Sequence, residues 1–176
     1  SGVGYEPEGE FIFGTDVINP TNQDGALAET LKVGYLCNNA TLNKDNDGRF
    51  GIIGDPTEGA LRVSATKAGI TDGLPRLDEI PFESENMYMA TLHEGKDENV
   101  IYVKGSPERI VEMCQTQLTA EGVEPIATEE ILKIENEMAS EALRLLGMAF
   151  KSVPKEKKAL DGDDLKALTF LGLQGM

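Results

Sequence analysis

Residues 76–105, "RLDEIPFESENMYMATLHEGKDENVIYVKG", hold three runs rich in apolar, β-branched and aromatic side chains, separated by short polar segments. "RLDEIPF", "NMYMATLHE" and "NVIYVKG" each read as a strand, and "GKDE" between the last two has the composition of a hairpin turn. Consecutive strands without regular helix alternation predict an α/β fold of the α+β kind. The expected architecture is a twisted antiparallel sheet flanked by helices, not a doubly wound parallel sheet.

Toward the N-terminus, "GEFIFG" and "RFGIIG" read as short strands bounded by glycine. Between them, "DGALAETLKVGYLCNNA" places Leu27, Leu31 and Leu36 near helical spacing behind Asp24, a candidate N-cap. A second helix is expected over residues 56–68. Toward the C-terminus, "SPERIVEMC" predicts a helix with Ser106 as cap and Pro107 as its first residue. "TEEILKIENEMASEALRLLG" predicts the longest helix, capped by Thr128 and closed near Gly147. A strand at "GMAFKSV", a charged loop over residues 155–164 and a closing strand "ALTFLGLQGM" complete the pattern. Nothing resembling a repeat, a low-complexity tract or a linker divides the 176 residues, so one domain over 1–176 is expected.

A composition 40% hydrophobic and 27% charged is that of a globular chain. The longest apolar runs, such as residues 143–150, fall far short of the roughly 18 residues of a membrane span, and the start does not resemble a signal peptide. A soluble chain is expected. A net charge of −15 argues against nucleic acid or an anionic membrane surface as partner, because both select clustered Lys and Arg. Cys37 and Cys114 are too few for a disulfide framework and have no CxxC spacing, and His93 alone makes no metal pattern. Both cysteines are expected as buried thiols of an intracellular protein.

"IIGDPTEGAL", residues 52–61, carries a helix start: Asp55 as N-cap, Pro56 as first helical residue and Glu58 three positions after the cap, with Gly69 as the stop. A capping box accounts for Asp55 and Glu58 as structural residues, while the same acidic helix start also suits the border of a binding surface. "NKDNDGRFGIIG" places Asn43, Asp45 and Asp47 at alternating positions before Gly48, as in a calcium loop. Gly54 stands where the bidentate glutamate belongs, so a polar hairpin turn is expected. No GxxxxGK[ST] phosphate loop is present. In "YVKGSPERI", Lys104 ends a strand, Gly105 permits close backbone approach, and the helix from Pro107 has free N–H groups; together these suit an anion or a polar heteroaromatic ring. The plain alternative is a solvated strand end. Phe82, between Pro81 and the polar "ESEN", reads as a rim aromatic able to stack on a base, or as ordinary core.

Taken in order, "GDPTEGAL", "PFESENMYMATLH", "YVKGSPERI" and "ALRLLGMAF" resemble the nucleotide-binding domain of P-type cation-transporting ATPases, in the calcium-pump and sodium/potassium-pump branch. "GYEPEGEF" and "LTFLGLQGM" are similar to that domain's two edges, so the resemblance spans the chain. It implies that Glu58 meets the adenine amino group, Phe82 stacks on adenine and Lys104 lines the base of the pocket with Gly105 beside it. By the same resemblance, Arg144 reaches toward the phosphates, and Leu146 and Met89 are apolar pocket contacts. One departure is Met87, where calcium pumps carry a lysine.

The resemblance further implies ATP with Mg2+ as ligand and a magnesium-nucleotide reaction completed elsewhere. The phosphorylated aspartate of the family lies in a "DKTGT" motif, which is not in this sequence. The chain is therefore expected to be a domain excised from a larger membrane pump. It would present ATP to an aspartate on a separate phosphorylation domain, work with an actuator domain, make no membrane contact of its own, and lie on the cytoplasmic side of an integral membrane protein. Alone it is expected to bind ATP without hydrolysing it. The alternative from another class is a ligand-free regulatory or protein-interaction domain. An independent hydrolase fits less well, since one histidine and no triad leave little catalytic machinery.

Overall fold

A computed structural model describes residues 4–21 and 25–176. The elements run β1 (Phe11–Phe13), β2 (Asp16–Ile18), α1 (Gly25–Leu36), β3 (Thr41–Lys44), β4 (Phe50–Ile53), α2 (Pro56–Lys67), β5 (Arg76–Glu83), β6 (Tyr88–His93) and β7 (Asn99–Gly105). They continue through α3 (Pro107–Met113), β8 (Cys114–Thr119), β9 (Gly122–Pro125), α4 (Thr128–Ala139), β10 (Leu145–Val153) and β11 (Leu168–Gly175). The candidate cap Asp24 lies outside the described residues.

Seven strands form one sheet in the order β5-β6-β7-β10-β11-β8-β9. All its pairings are antiparallel except β11 with β8, which is parallel, so the sheet is mixed at one junction. The α/β class and the helix-flanked sheet stand as the sequence predicts. β1 with β2 and β3 with β4 make separate hairpins.

Strand alternation sends side chains to two different layers. Tyr88, Ala90 and Leu92 of β6 join Ile101 and Val103 of β7 in one buried cluster, which Ile110 and Val111 of α3 and Ile131 of α4 complete. The residues between them point the other way: Met89, Tyr102 and Met148 pack with Val33 and Leu36 of α1 and Leu61 of α2. Each buried Val, Leu, Ile or Met among them contributes about 1.5–3 kcal/mol relative to exposure. Lys104 shares the parity of Tyr102, so its side chain belongs to the α1/α2 face while α3 covers the opposite face.

Helix α2 has the ends its sequence dictates. The Asp55 carboxylate accepts from the Thr57 and Glu58 N–H groups at 2.9 and 3.1 Å. At the other end Gly69 sits at φ +83, with its N–H bonded to the Thr66 carbonyl and that of Ile70 to Ala65, a Schellman closure. The "NKDNDG" segment is the expected hairpin turn, in which Asp45 Oδ1 accepts from the Asp47 and Arg49 N–H groups.

Several expectations change. The helix predicted to run to Gly147 stops at Ala139, and the chain reverses through Ala142 at φ +61. The strand expected at "GMAFKSV" is β10 and starts two residues earlier, at Leu145; it is the central strand bonded to both β7 and β11, and that double pairing outweighs the helical propensity of Leu145 and Leu146. Thr128 is the first helical residue of α4 and not its cap; Ala127 holds that position with no side-chain bond. Strands β8 and β9 arise from the polar stretch "CQTQLTAEGVEP", whose residues lack an apolar alternation and pair because β11 offers an open edge. Cys37 is fully buried, whereas Cys114 is only half-buried.

Candidate functional site

A cavity of about 380 Å³ opens on the α1/α2 face, where the start of α2 meets the end of β5. Its floor is sheet. Met89 on β6 and Lys104 on β7 are direct cross-strand partners, Met148 on β10 is the next residue across, and Leu146 lies two residues earlier on β10. One wall is the first turn of α2 with Asp55, Thr57 and Glu58; the opposite wall is Pro81 and Phe82 of β5; Asn39 and Arg144 complete the rim.

Lys104 is the buried cation of this site, 5% exposed. A desolvated ammonium is costly unless paired. Its Nζ donates to the Cys37 carbonyl and, at 2.6 Å, to Glu58 Oε1. Glu58 Oε2 accepts from the Asn39 N–H at 3.1 Å. The capping box is therefore half made: Asp55 caps the helix, but the Glu58 carboxylate turns to the Lys104 ammonium instead of back to the Asp55 N–H. A charge-assisted bond to a buried ammonium outcompetes a neutral amide that faces solvent. Each Glu58 oxygen keeps a second lone pair for another donor.

Several contacts hold this wall in place. Asn38, which is buried, donates from Nδ2 to the carbonyls of Gly34 and Glu58 at 2.7 and 2.8 Å, tying the end of α1 to the start of α2. Gly59 is required where α2 crosses β4, since a Cβ there would lie 2.7 Å from Ile52. The N–H of Glu58 above all, with those of Thr57 and the positive charge of Arg144, holds the Asp55 carboxyl below the usual carboxylate range. Arg144 itself is exposed, and its guanidinium makes no ion pair among the described residues. Its backbone is fixed by reciprocal bonds with Met176.

Phe82 is 57% exposed. The β5–β6 register shifts between Ile80 and Glu83, and residues 83–87 turn back with Met87 at φ +59. Pro81 cannot donate a ladder bond, so the strand leaves its pairing there and turns Phe82 out of the core.

Six of the seven sequence-expected site residues (Glu58, Phe82, Met89, Lys104, Arg144, Leu146) border this one cavity. Gly105 lies just outside it: a Cβ there would come within 2.3 Å of the Met87 carbonyl, so its close approach is to the β5–β6 turn. The start of α3 does not join Lys104 either, because that helix packs on the other face. Asn39 was not singled out in the sequence, where "CNNA" signals only a loop. Thr57 was not singled out either, while Asp55 read there as the cap, which it also is. A second cavity lies between the ends of the described chain, at Tyr5, Phe11 and Met176, and a third beneath Arg109 and Lys166 on the α3 face.

The family model described as P-type ATPase, cytoplasmic domain N, matches residues 26–176. The chain belongs to that family. Its N domain is 46% identical over 188 residues to the cation-transporting ATPase pma1 of Synechocystis sp., with the whole chain and 20% of the relative covered. It is 34% identical over 183 residues to the probable cation-transporting ATPase F of Mycobacterium tuberculosis, again across the whole chain and 20% of the relative. A calcium-transporting ATPase of Bacillus subtilis is 32% identical over 187 residues, with the whole chain and 21% of the relative covered. The N domain thus spans about one fifth of the length of these curated relatives. Among the described residues, no helix is long and apolar enough to cross a membrane.

Proposed function

We propose that this N domain is the ATP-binding module of a P-type ATPase that drives cation transport across a membrane. The observation that supports it most is convergence: six residues from four separate chain segments border one cavity that joins an exposed aromatic face to a buried Lys–Glu pair. At about 380 Å³ the cavity is in the size range of small-molecule clefts, roughly 300–1,000 Å³. Adenine fits its chemistry. Phe82 offers an unobstructed ring for stacking, Met89 and Leu146 an apolar floor, and Glu58 a lone pair for the exocyclic amine. The carbonyl of guanine would meet the same carboxylate with like polarity.

Arg144, at the rim and in no ion pair among the described residues, is the cation we assign to the phosphates, and Met87 contributes no second one. Among the described residues no group of His, Cys, Asp and Glu side chains could hold a metal ion. Magnesium would therefore arrive on the nucleotide's own phosphate oxygens. Phosphoryl transfer needs a placed acceptor and metal-binding carboxylates near the γ-phosphate. We assign these to a phosphorylation domain of the longer pump, which with an actuator domain would be this module's partner, on the cytoplasmic side of the membrane. The module alone then binds ATP weakly and does not hydrolyse it, because its acidic surface opposes a polyanion and the second gripping domain is not part of it.

An ATP titration followed by amide chemical shifts tests the reading. Saturable shifts clustered at Glu58, Phe82 and Lys104, with weaker competition by GTP, are expected. Shifts that are absent or scattered would favour a ligand-free interaction domain. Phosphate release that Phe82→Ala and Lys104→Ala abolish would mean that the module is itself a hydrolase.

A further inference from the structure

We propose that Asn39 is a specificity-determining residue of this cavity, donating from its side-chain amide to a ring nitrogen of adenine, and that Arg76 fixes the orientation that makes it a donor. The inference rests on the ATP-binding reading above.

Arg76 is the first residue of β5, the strand that carries Phe82. Its Nη2 donates to the carbonyls of Leu36 and Asn38, each at 2.8 Å, and its Nη1 to Asn39 Oδ1 at 2.6 Å. Glu79 Oε2 holds the same Nη1 at 2.6 Å. A guanidinium has donors only, so the oxygen of the Asn39 amide must be the atom that faces it. That settles which end of the amide is spoken for. The NH2 end is left over, and it makes no hydrogen bond among the described residues, while Asn39 borders the same cavity as Glu58. The two residues are already coupled, since the Asn39 backbone N–H holds Glu58 Oε2 at 3.1 Å.

An acceptor and a donor therefore border one cavity, tied together by the Asn39 backbone N–H. Adenine presents the complementary pair on either edge, an amino group beside the ring acceptor N1 or N7, and a side-chain amide is a familiar reader of that edge. A 6-oxopurine presents the opposite polarity beside N1. Glu58 alone distinguishes amine from carbonyl; with Asn39 the cavity reads two adjacent atoms. The clasp also spans the cavity in the fold, because Arg76 links the loop that carries Asn39 to the strand that carries Phe82.

Deaza analogues, which replace one ring nitrogen by CH, test this directly. Binding of ATP, 1-deaza-ATP and 7-deaza-ATP is measured on the native chain and on Asn39→Asp, which keeps an acceptor for Arg76 but has no donor. On the native chain one analogue should bind about three- to tenfold more weakly than ATP, the size of one net hydrogen bond. In Asn39→Asp that penalty should vanish. A clasp that is only structural would weaken all three nucleotides alike and leave the penalty in place, overturning the proposal. If Asn39→Asp does not fold, Arg76→Lys, which keeps the charge but loses the planar fork, must shrink the same penalty. ATP binding without any discrimination between the analogues on the native chain overturns this inference alone; no saturable ATP binding overturns it together with the reading beneath it.

Discussion

Lys104 Nζ and Glu58 Oε1, 46 residues apart in sequence, lie 2.6 Å apart and join the sheet floor to the first turn of α2. The pair is an element of stability as well as of the site. Lys104→Met removes the counter-charge and one partner of the Cys37 carbonyl, and leaves Glu58 partly buried without its cation. A loss of about 2–4 kcal/mol is expected, toward the range of a broken buried pair. Adding Glu58→Gln should recover part of it. Thermal or urea unfolding of the single and double variants measures both, and equal stability of Lys104→Met and the native chain would contradict the pairing.

Phe82→Ala separates fold from site. With the ring 57% exposed, the melting temperature should change little. ATP affinity should fall by about 1–3 kcal/mol through loss of a stacking face. A folded variant with native affinity would remove Phe82 from the site.

Asp55→Ala tests the cap and its pH dependence together. Loss of the cap should cost about 0.5–2 kcal/mol. Since the N–H groups of Glu58 and Thr57 lower the folded-state pKa of Asp55, its contribution is fully present above the ordinary carboxylate value of 3.8. It is lost as pH falls through the depressed folded value. The stability difference between native and variant chains, followed by urea unfolding, should therefore be constant at neutral pH and shrink only in acid. A difference that grows in acid would reverse the sign.

Gly105→Ala probes the turn beside the site. The new Cβ would meet the Met87 carbonyl at 2.3 Å and Tyr88 Cα at 2.9 Å, both backbone-fixed, so β6 and β7 must part locally. A destabilisation of about 1–3 kcal/mol is expected. Amide shifts should move at Met87 and Ser106, whose N–H bonds the Met87 carbonyl at 3.0 Å.

The residues that local chemistry dictates were legible in the sequence. Asp55, Pro56 and Gly69 bound α2, Ser106 and Pro107 start α3, and the alternation in residues 76–105 yields three adjacent strands, because capping and strand period depend on neighbours in the chain. The resemblance to a known family placed Glu58, Phe82, Lys104 and Arg144 as candidates. Tertiary structure alone decided what those groups pair with and which of them share one cavity. Whether Glu58 closed a capping box or faced a cation depended on Lys104, which only the packing of the sheet against α1 and α2 brings near. The same holds for Leu145 and Leu146, whose helical pattern yields to the two strands that flank β10, and for β8, which has no apolar signal of its own and pairs with the edge of β11. Asn39 and Arg76 are the clearest case: a loop asparagine and a strand-end arginine, 37 residues apart, carry no pattern in sequence, and their chemistry appears only when one donor-only group turns the other's amide.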